Sequence, residues 1–288
     1  MLVDSYRFLP RSFRPFYEGR GAFAGEESPV WSPFEKRLAD SRIALLTSAG
    51  IYVKASQSTF DLDREQANPE WGDPTWRSIP ATISSDDIAV AHLHINDEDV
   101  LADPEIALPT RGLAELAEQG IVGGAVANHV AVMGYQDRGL EEWRRKTAPE
   151  IVEHLREQGA RTASSSRRLD PTVCSNVPVL ARWIEAAGIP TVVVTMMPAV
   201  AEERRAPRIV GVEFPFGHAF GVPHDKAMQR RVLELALRVL AGASSSGARV
   251  DFDQEWPVPF REAYKAWQPK EPSPIVRKLL ESRAQGRT

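Results

Sequence analysis

The sequence predicts an α/β fold: a doubly wound, mostly parallel sheet with helices on both faces, an irregular aromatic N-terminal arm and a C-terminal helical tail. Three observations predict it. Short continuous apolar runs such as Ile43–Ser48 (IALLTS) and Thr191–Met197 (TVVVTMM) read as strands buried on both faces. Amphipathic stretches of helical period fall between such runs. Gly- and Pro-bearing loops join the two kinds of segment, as in a parallel sheet with crossover helices. With 288 residues and 43% hydrophobic content, the chain can fill one large domain or two closely packed halves.

Taken in order, residues 1–34 are rich in Pro, Arg and aromatics without a period, and form the arm. Its Phe13, Phe16, Tyr17, Phe23, Trp31 and Phe34 can cover the chain's own core or a second subunit. The core spans 35–242, with pseudo-halves at about 35–138 and 139–242, and 243–288 is the tail. Ile43–Ser48 is the first strand, and 56–85 reads as a long loop. Ile88–Ile95 (IAVAHLHI) reads as a strand, Leu113–Gln119 as a helix closed by Gly120, and Ala125–Met133 as a strand. Leu140–Gln158 reads as a long helix broken or kinked at Pro149, and 160–172 as a polar, mobile stretch. Ser175 and Asn176 are N-cap types before a helix over Val177–Ala187, with Pro178 in its first turn. Strands over Thr191–Met197 and Ile209–Phe214 follow, then a helix over Lys226–Leu240, a Ser-rich linker at 242–247 and a last helix near Ile275–Ser282.

Composition excludes several function classes. Charged residues make up 26% at a net charge of -4, and the basic cluster Arg144-Arg145-Lys146 alternates with acids on a helix face, so nucleic acid is not an expected partner. The single cysteine rules out an internal disulfide, a CxxC pair and a zinc ribbon. No run approaches the roughly 20 apolar residues of a membrane span, and the N-terminus has no apolar leader core, so a cytoplasmic protein is expected. Gly120-Ile121-Val122-Gly123-Gly124 lacks the Lys-Ser/Thr ending of a phosphate loop, and no G-x-S-x-G elbow is present.

Cys174 leads the candidates for chemistry. It lies just before a well-marked helix start, whose free N–H groups and dipole lower a thiol pKa, with Arg167, Arg168 and Arg182 near in sequence. A thiolate there is a nucleophile; a buried inert thiol is the bland alternative. His92 and His94, two apart on an expected strand, share a face, and with Asp103 could hold a divalent metal or act as acid–base partners. His129, in an apolar strand, is either core or site. Ligands collect beyond the carboxyl ends of parallel strands. That rule selects Ser48, the helix start at Ser175 and Asn176, and the loop Phe216-Gly217-His218 as substrate contacts.

Several segments resemble one family. They are Asp73-Pro74-Thr75-Trp76-Arg77-Ser78-Ile79-Pro80; Ala91-His92-Leu93-His94 with Asp103-Pro104; Leu108-Pro109 with Arg111 and Gly120–Gly123; His129 with Met133-Gly134; Ala181-Arg182-Trp183-Ile184-Glu185 through Gly188-Ile189-Pro190-Thr191; and Glu213-Phe214-Pro215-Phe216-Gly217. Together they span about residues 40–240 in the right order. The chain resembles the selenoprotein B subunits of glycine, sarcosine, betaine and D-proline reductases. The resemblance implies reductive cleavage of a carbon–nitrogen bond in a small amino-acid-like carboxylate, with Cys174 in place of selenocysteine and Arg77, Asp103 and Arg111 near the substrate. This sequence departs from the family in lacking a second cysteine, so a turnover that oxidises sulfur needs an external thiol.

No resident cofactor is expected, and homo-oligomerisation is. Four functions stay open at this stage: a reductase cleaving C–N or C–S bonds, a redox-neutral lyase or hydrolase such as a desulfhydrase, a non-catalytic subunit, and a metal-dependent hydrolase on His92, His94 and Asp103.

Overall fold

The computed structural model describes residues 2–11, 13–19, 21–136, 139–160, 162–166 and 176–284. The chain enters the sheet at β1 (Arg42–Thr47), where all but the first residue are buried, as a strand covered on both faces must be. β2 (Ile51–Val53), α1 (Leu62–Ala67), β3 (Trp76–Pro80), β4 (Ile88–Val90), α2 (Glu98–Ala102) and α3 (Thr110–Glu118) follow, then β5 (Gly124–Ala125) and β6 (Asn128–Val132). The second half runs α4 (Leu140–Glu142), a π-helical stretch Trp143–Thr147, α5 (Ala148–Glu157), β7 (Thr162–Ser166), α6 (Val177–Ala186), β8 (Thr191–Thr195), α7 (Pro198–Glu203), β9 (Arg208–Gly211), α8 (Lys226–Gly242) and β10 (Ala248–Asp251). α9 (Phe260–Ala266) and α10 (Pro274–Ala284) close the chain.

The expected α/β architecture is present. The main sheet runs β10-β9-β8-β7-β1-β6-β3, with β5 also on β1. All pairings are parallel except that of β3, an antiparallel edge ending in Pro80, where a missing N–H is harmless. Helices α3 and α8 pack together, as do α5 and α6. Alternation along β8 separates the two layers: Val193 joins Ala181 of α6, Ala201 of α7 and Ile209, while Val192 and Val194 belong to the main core with Leu233 and Leu237 of α8.

Connections leave the sheet centre in opposite directions. From β1 the chain passes to β6 on one side; from β7, on the other side of β1, it proceeds to β8. The carboxyl ends of β1 and β7 therefore flank the switch point, where open α/β sheets bind ligands.

Four expectations need correction. The stretch 56–85 is not a loop but holds α1, whose N-cap Asp61 accepts from the Arg64 N–H at 3.0 Å, and β3. Within the stretch 160–172, expected to be polar and mobile, Thr162–Ser166 forms β7, paired with β1 and β8. Backbone ladders on both sides hold such a segment whatever its side-chain polarity. The strand at 88–95 ends at Val90, since β4 pairs only with β2 in a separate two-stranded sheet. Finally, α7, β10 and α9 carry no strong period and were not expected. Pro149 sits in the first turn of α5, and the π-helical stretch precedes it.

The arm covers its own chain. Val3, Phe8, Leu9 and Tyr17 are buried, and the backbone N–H groups of Val3 and Asp4 donate to Asp251 and Glu213 at 2.8 Å. Two buried ion pairs tie its later part to α6 and β9. Arg182 bonds Glu26 at 3.1 Å, and Glu26 also accepts from the Trp183 indole. Arg208 bonds Glu185 at 2.8 Å, lies over the Trp31 ring at 3.8 Å and donates to the Ser32 carbonyl. Glu185 in turn accepts from the N–H of Ser32 and from both the N–H and hydroxyl of Thr191.

Candidate active site

Gly50, with φ +64, turns the chain after β1. Its carbonyl accepts from the Ala91 N–H at 2.9 Å, which brings the segment after β4 to the carboxyl edge of the main sheet. His92 and His94 therefore lie beyond a strand's end rather than side by side on a sheet face. Their rings meet edge to face at 5.6 Å, and the His94 N–H donates to His92 Nδ1 at 3.2 Å. The His94 ring also packs on Tyr135, just past β6, at 4.8 Å.

Behind His94 stands Glu65. The imidazole Nε2 lies 2.6 Å from the carboxylate, and both side chains are buried. This partner went unseen because Glu65 sits in a region that reads as loop. The signal was Asp61, an N-cap residue opening Leu62-Asp63-Arg64-Glu65. At the same edge, Asn176 directly precedes α6 and donates from Nδ2 to the Gly134 carbonyl at 3.4 Å. Its side chain does not cap α6. Ser48 follows β1 and is fully buried.

The other expected site residues are dispersed. His129 is fully buried within the sheet, and its Nδ1 accepts from the Leu45 N–H at 3.2 Å. That N–H falls where β1 changes partner from β5 to β6, so the ring fills a gap in the ladder. Burial lowers its pKa from 6.5 to about 4. Arg77 lies over the Phe60 ring at 4.2 Å and donates to the carbonyls of Ser58 and Thr59, stapling that segment to β3.

Asp103 and Arg111 meet at 3.0 Å beside a pocket of about 290 Å³. Asp103 also accepts from the His224 N–H and the Gln229 amide. Neighbouring Glu105 accepts from the N–H groups of Arg111 and Gly112 at the start of α3. Burial pushes the Glu105 carboxyl pKa up, opposed by those hydrogen bonds and the Arg111 charge. These carboxylates are engaged in holding loops and a helix start. The Phe216-Gly217-His218 loop follows β9: Phe216 packs on Trp267 at 4.8 Å, and His218 bonds Asp99 at 2.8 Å. Gly217 takes φ +98 to make that turn.

The structure does not bring His92, His94 and Asp103 together as a metal site: among the described residues no three His, Cys, Asp or Glu side chains are grouped to hold an ion. Cys174 and Ser175 lie outside the described residues, as do Arg167 and Arg168. Among the described residues no helix is long and apolar enough to cross a membrane.

The chain is 29% identical over 228 residues to the D-proline reductase subunit gamma of Acetoanaerobium sticklandii, covering 79% of this chain and 90% of the relative. That similarity supports a relation to the D-proline reductase family. No family profile matches the chain, and no solved structure does.

Proposed function

We propose that this protein is a component of a reductase that cleaves a C–N or C–S bond of a small amino-acid-derived carboxylate, with Cys174 as its reactive sulfur. The similarity to a D-proline reductase subunit carries the reading. Topology supports it: Ser166, ending β7 beside Thr47, and Asn176, hydrogen-bonded to Gly134, are the described residues flanking position 174, and both sit at the carboxyl edge next to the switch point.

The chemistry balances with an external dithiol. The thiolate attacks carbon; an S–C bond forms, the carbon–heteroatom bond breaks, and the leaving nitrogen or sulfur takes a proton. A thiolate of the dithiol then attacks the Cys174 sulfur. An S–S bond forms, the S–C bond breaks, and the carbon takes a proton. The second dithiol sulfur displaces Cys174 as thiolate and leaves a disulfide. Two electrons pass from dithiol to substrate. His94, held by Glu65, is our candidate for moving the protons. In this reading the protein works in the cytoplasm, as an oligomer or with a partner that supplies the dithiol.

The test is turnover of D-proline and of betaine by the purified protein with dithiothreitol, alongside iodoacetamide labelling at pH 7. Turnover abolished by Cys174→Ser, with alkylation faster than for a free thiol, is the expected result. Full activity in Cys174→Ser would refute the assignment. Turnover without consumption of dithiol would instead favour a redox-neutral lyase.

A further inference from the structure

β10 is an edge strand: among the described residues it pairs only with β9, in parallel over Ala248–Asp251. The Phe252 N–H donates to the Gly211 carbonyl at 2.7 Å. Backbone groups alternate along a strand, so Val250 and Phe252 turn theirs to β9, and the N–H and C=O of Arg249 and Asp251 point away from the sheet. The opposite edge is made differently. β3 ends in Pro80, and its outward Ser78 carbonyl accepts from the Gln57 amide at 2.7 Å. Natural edges are blunted in such ways, or with charges, because an open edge recruits another strand.

No free charge guards β10. Arg249 folds back on Asp251 at 2.7 Å and on Glu202 at 2.8 Å, and the Arg249 and Asp251 side chains are 14% and 7% exposed. Both lie on the face that meets the arm, where Asp251 accepts from the Val3 N–H. Val250 projects from the other face and is 42% exposed.

The run Arg249-Val250-Asp251 is complementary to itself. Laid antiparallel on a second copy about a two-fold axis at Val250, Arg249 falls opposite the copy's Asp251, and Asp251 opposite its Arg249. These are the residues whose backbone groups point outward, and each such pair exchanges two N–H···O=C bonds. Opposite charges then meet on one face, and the two Val250 side chains meet on the other. A slip of one residue sets outward backbone groups against inward ones, so hydrogen-bond parity and charge select the same register.

We propose that β10 pairs antiparallel with β10 of a second copy of this chain, joining the two main sheets across a dimer axis at Val250. β9 and β8 separate β10 from β7, so the pairing leaves the switch point at the carboxyl edge uncovered. This contact goes beyond the reductase reading and stands whether or not that reading holds.

Sedimentation equilibrium of the full chain is the first measurement. Wild type at about 100 µM is expected to be a dimer or an even multiple of one, and a monomer or an odd-numbered assembly overturns the proposal. Val250→Lys, at an exposed position, sets two ammonium groups together at the axis and should raise the dissociation constant about tenfold. A constant equal to that of wild type counts against the contact.

Val250→Cys, combined with Cys174→Ser so that no other thiol is present, reads the register. The Cα atoms of a non-hydrogen-bonded antiparallel pair lie about 4.5 Å apart, within reach of a disulfide. Mild oxidation should give a covalent dimer. Ile121→Cys in the same background, also at an exposed position, should not cross-link. Equal cross-linking at both positions, or none at Val250→Cys, overturns the pairing.

Discussion

Glu65 Oε1 and His94 Nε2 stand 2.6 Å apart, each side chain only 1% exposed. A contact that short and dry is a strong hydrogen bond whose partners depend on each other. Removing one leaves a buried polar group without compensation. Glu65→Ala is expected to cost about 3–5 kcal/mol. Glu65→Gln, which keeps an acceptor at nearly the same place, should cost about 1–2 kcal/mol. Urea denaturation of both variants checks this, and equal losses would show that the carboxylate is not special.

His129 makes stability depend on pH. Its pKa is lowered by burial to about 4 from 6.5, so the unfolded chain binds the extra proton first. The stability it contributes is complete above pH 6.5 and is lost as pH falls towards 4. The size is on the order of 3 kcal/mol, from 1.36 kcal/mol per unit. His129→Gln, able to accept from Leu45, should flatten that part of the profile. Denaturation midpoints at pH 4.5 and 7 decide it; an unchanged slope would count against the assignment.

The Glu185–Arg208 pair holds the arm. Glu185→Ala would leave Arg208 buried without its counter-charge and the N–H groups of Ser32 and Thr191 without acceptors. A loss of about 3–5 kcal/mol is expected. Limited proteolysis should then cut within 21–36 faster than in wild type. Unchanged cleavage would mean that Arg182–Glu26 suffices to hold the arm.

Two glycines leave no room for a side chain. A Cβ on Gly72 would fall 1.6 Å from the Tyr135 carbonyl oxygen, and one on Gly50 2.2 Å from that of Ala91, at φ +64. Gly72→Ala and Gly50→Ala should each cost at least about 1–3 kcal/mol. Gly50→Ala should in addition displace the His92–His94 segment, which a change in the imidazole proton shifts by NMR would show.

The resembling segments divide once the contacts are seen. Asp73 accepts from Asp61 and Thr75, Arg77 staples the loop before α1, and Arg182, Glu185, Thr191 and Arg208 form the network under the arm. Those residues serve folding. His94 and Asn176 lie at the carboxyl edge, where we propose the chemistry. The text of a motif does not separate these roles, because the same residue types serve buried hydrogen bonding and catalysis.

By itself the sequence determined the α/β class, β1, β8 and the helices α3, α6 and α8, because apolar period and capping residues are local signals. Only the tertiary structure decided that Thr162–Ser166 is a central strand, since its hydrogen bonds come from β1 and β8. The same holds for Glu65 behind His94, 29 residues away in sequence, and for Trp267 packed on Phe216. Pairings across such distances follow from how the layers pack, and no local pattern encodes them.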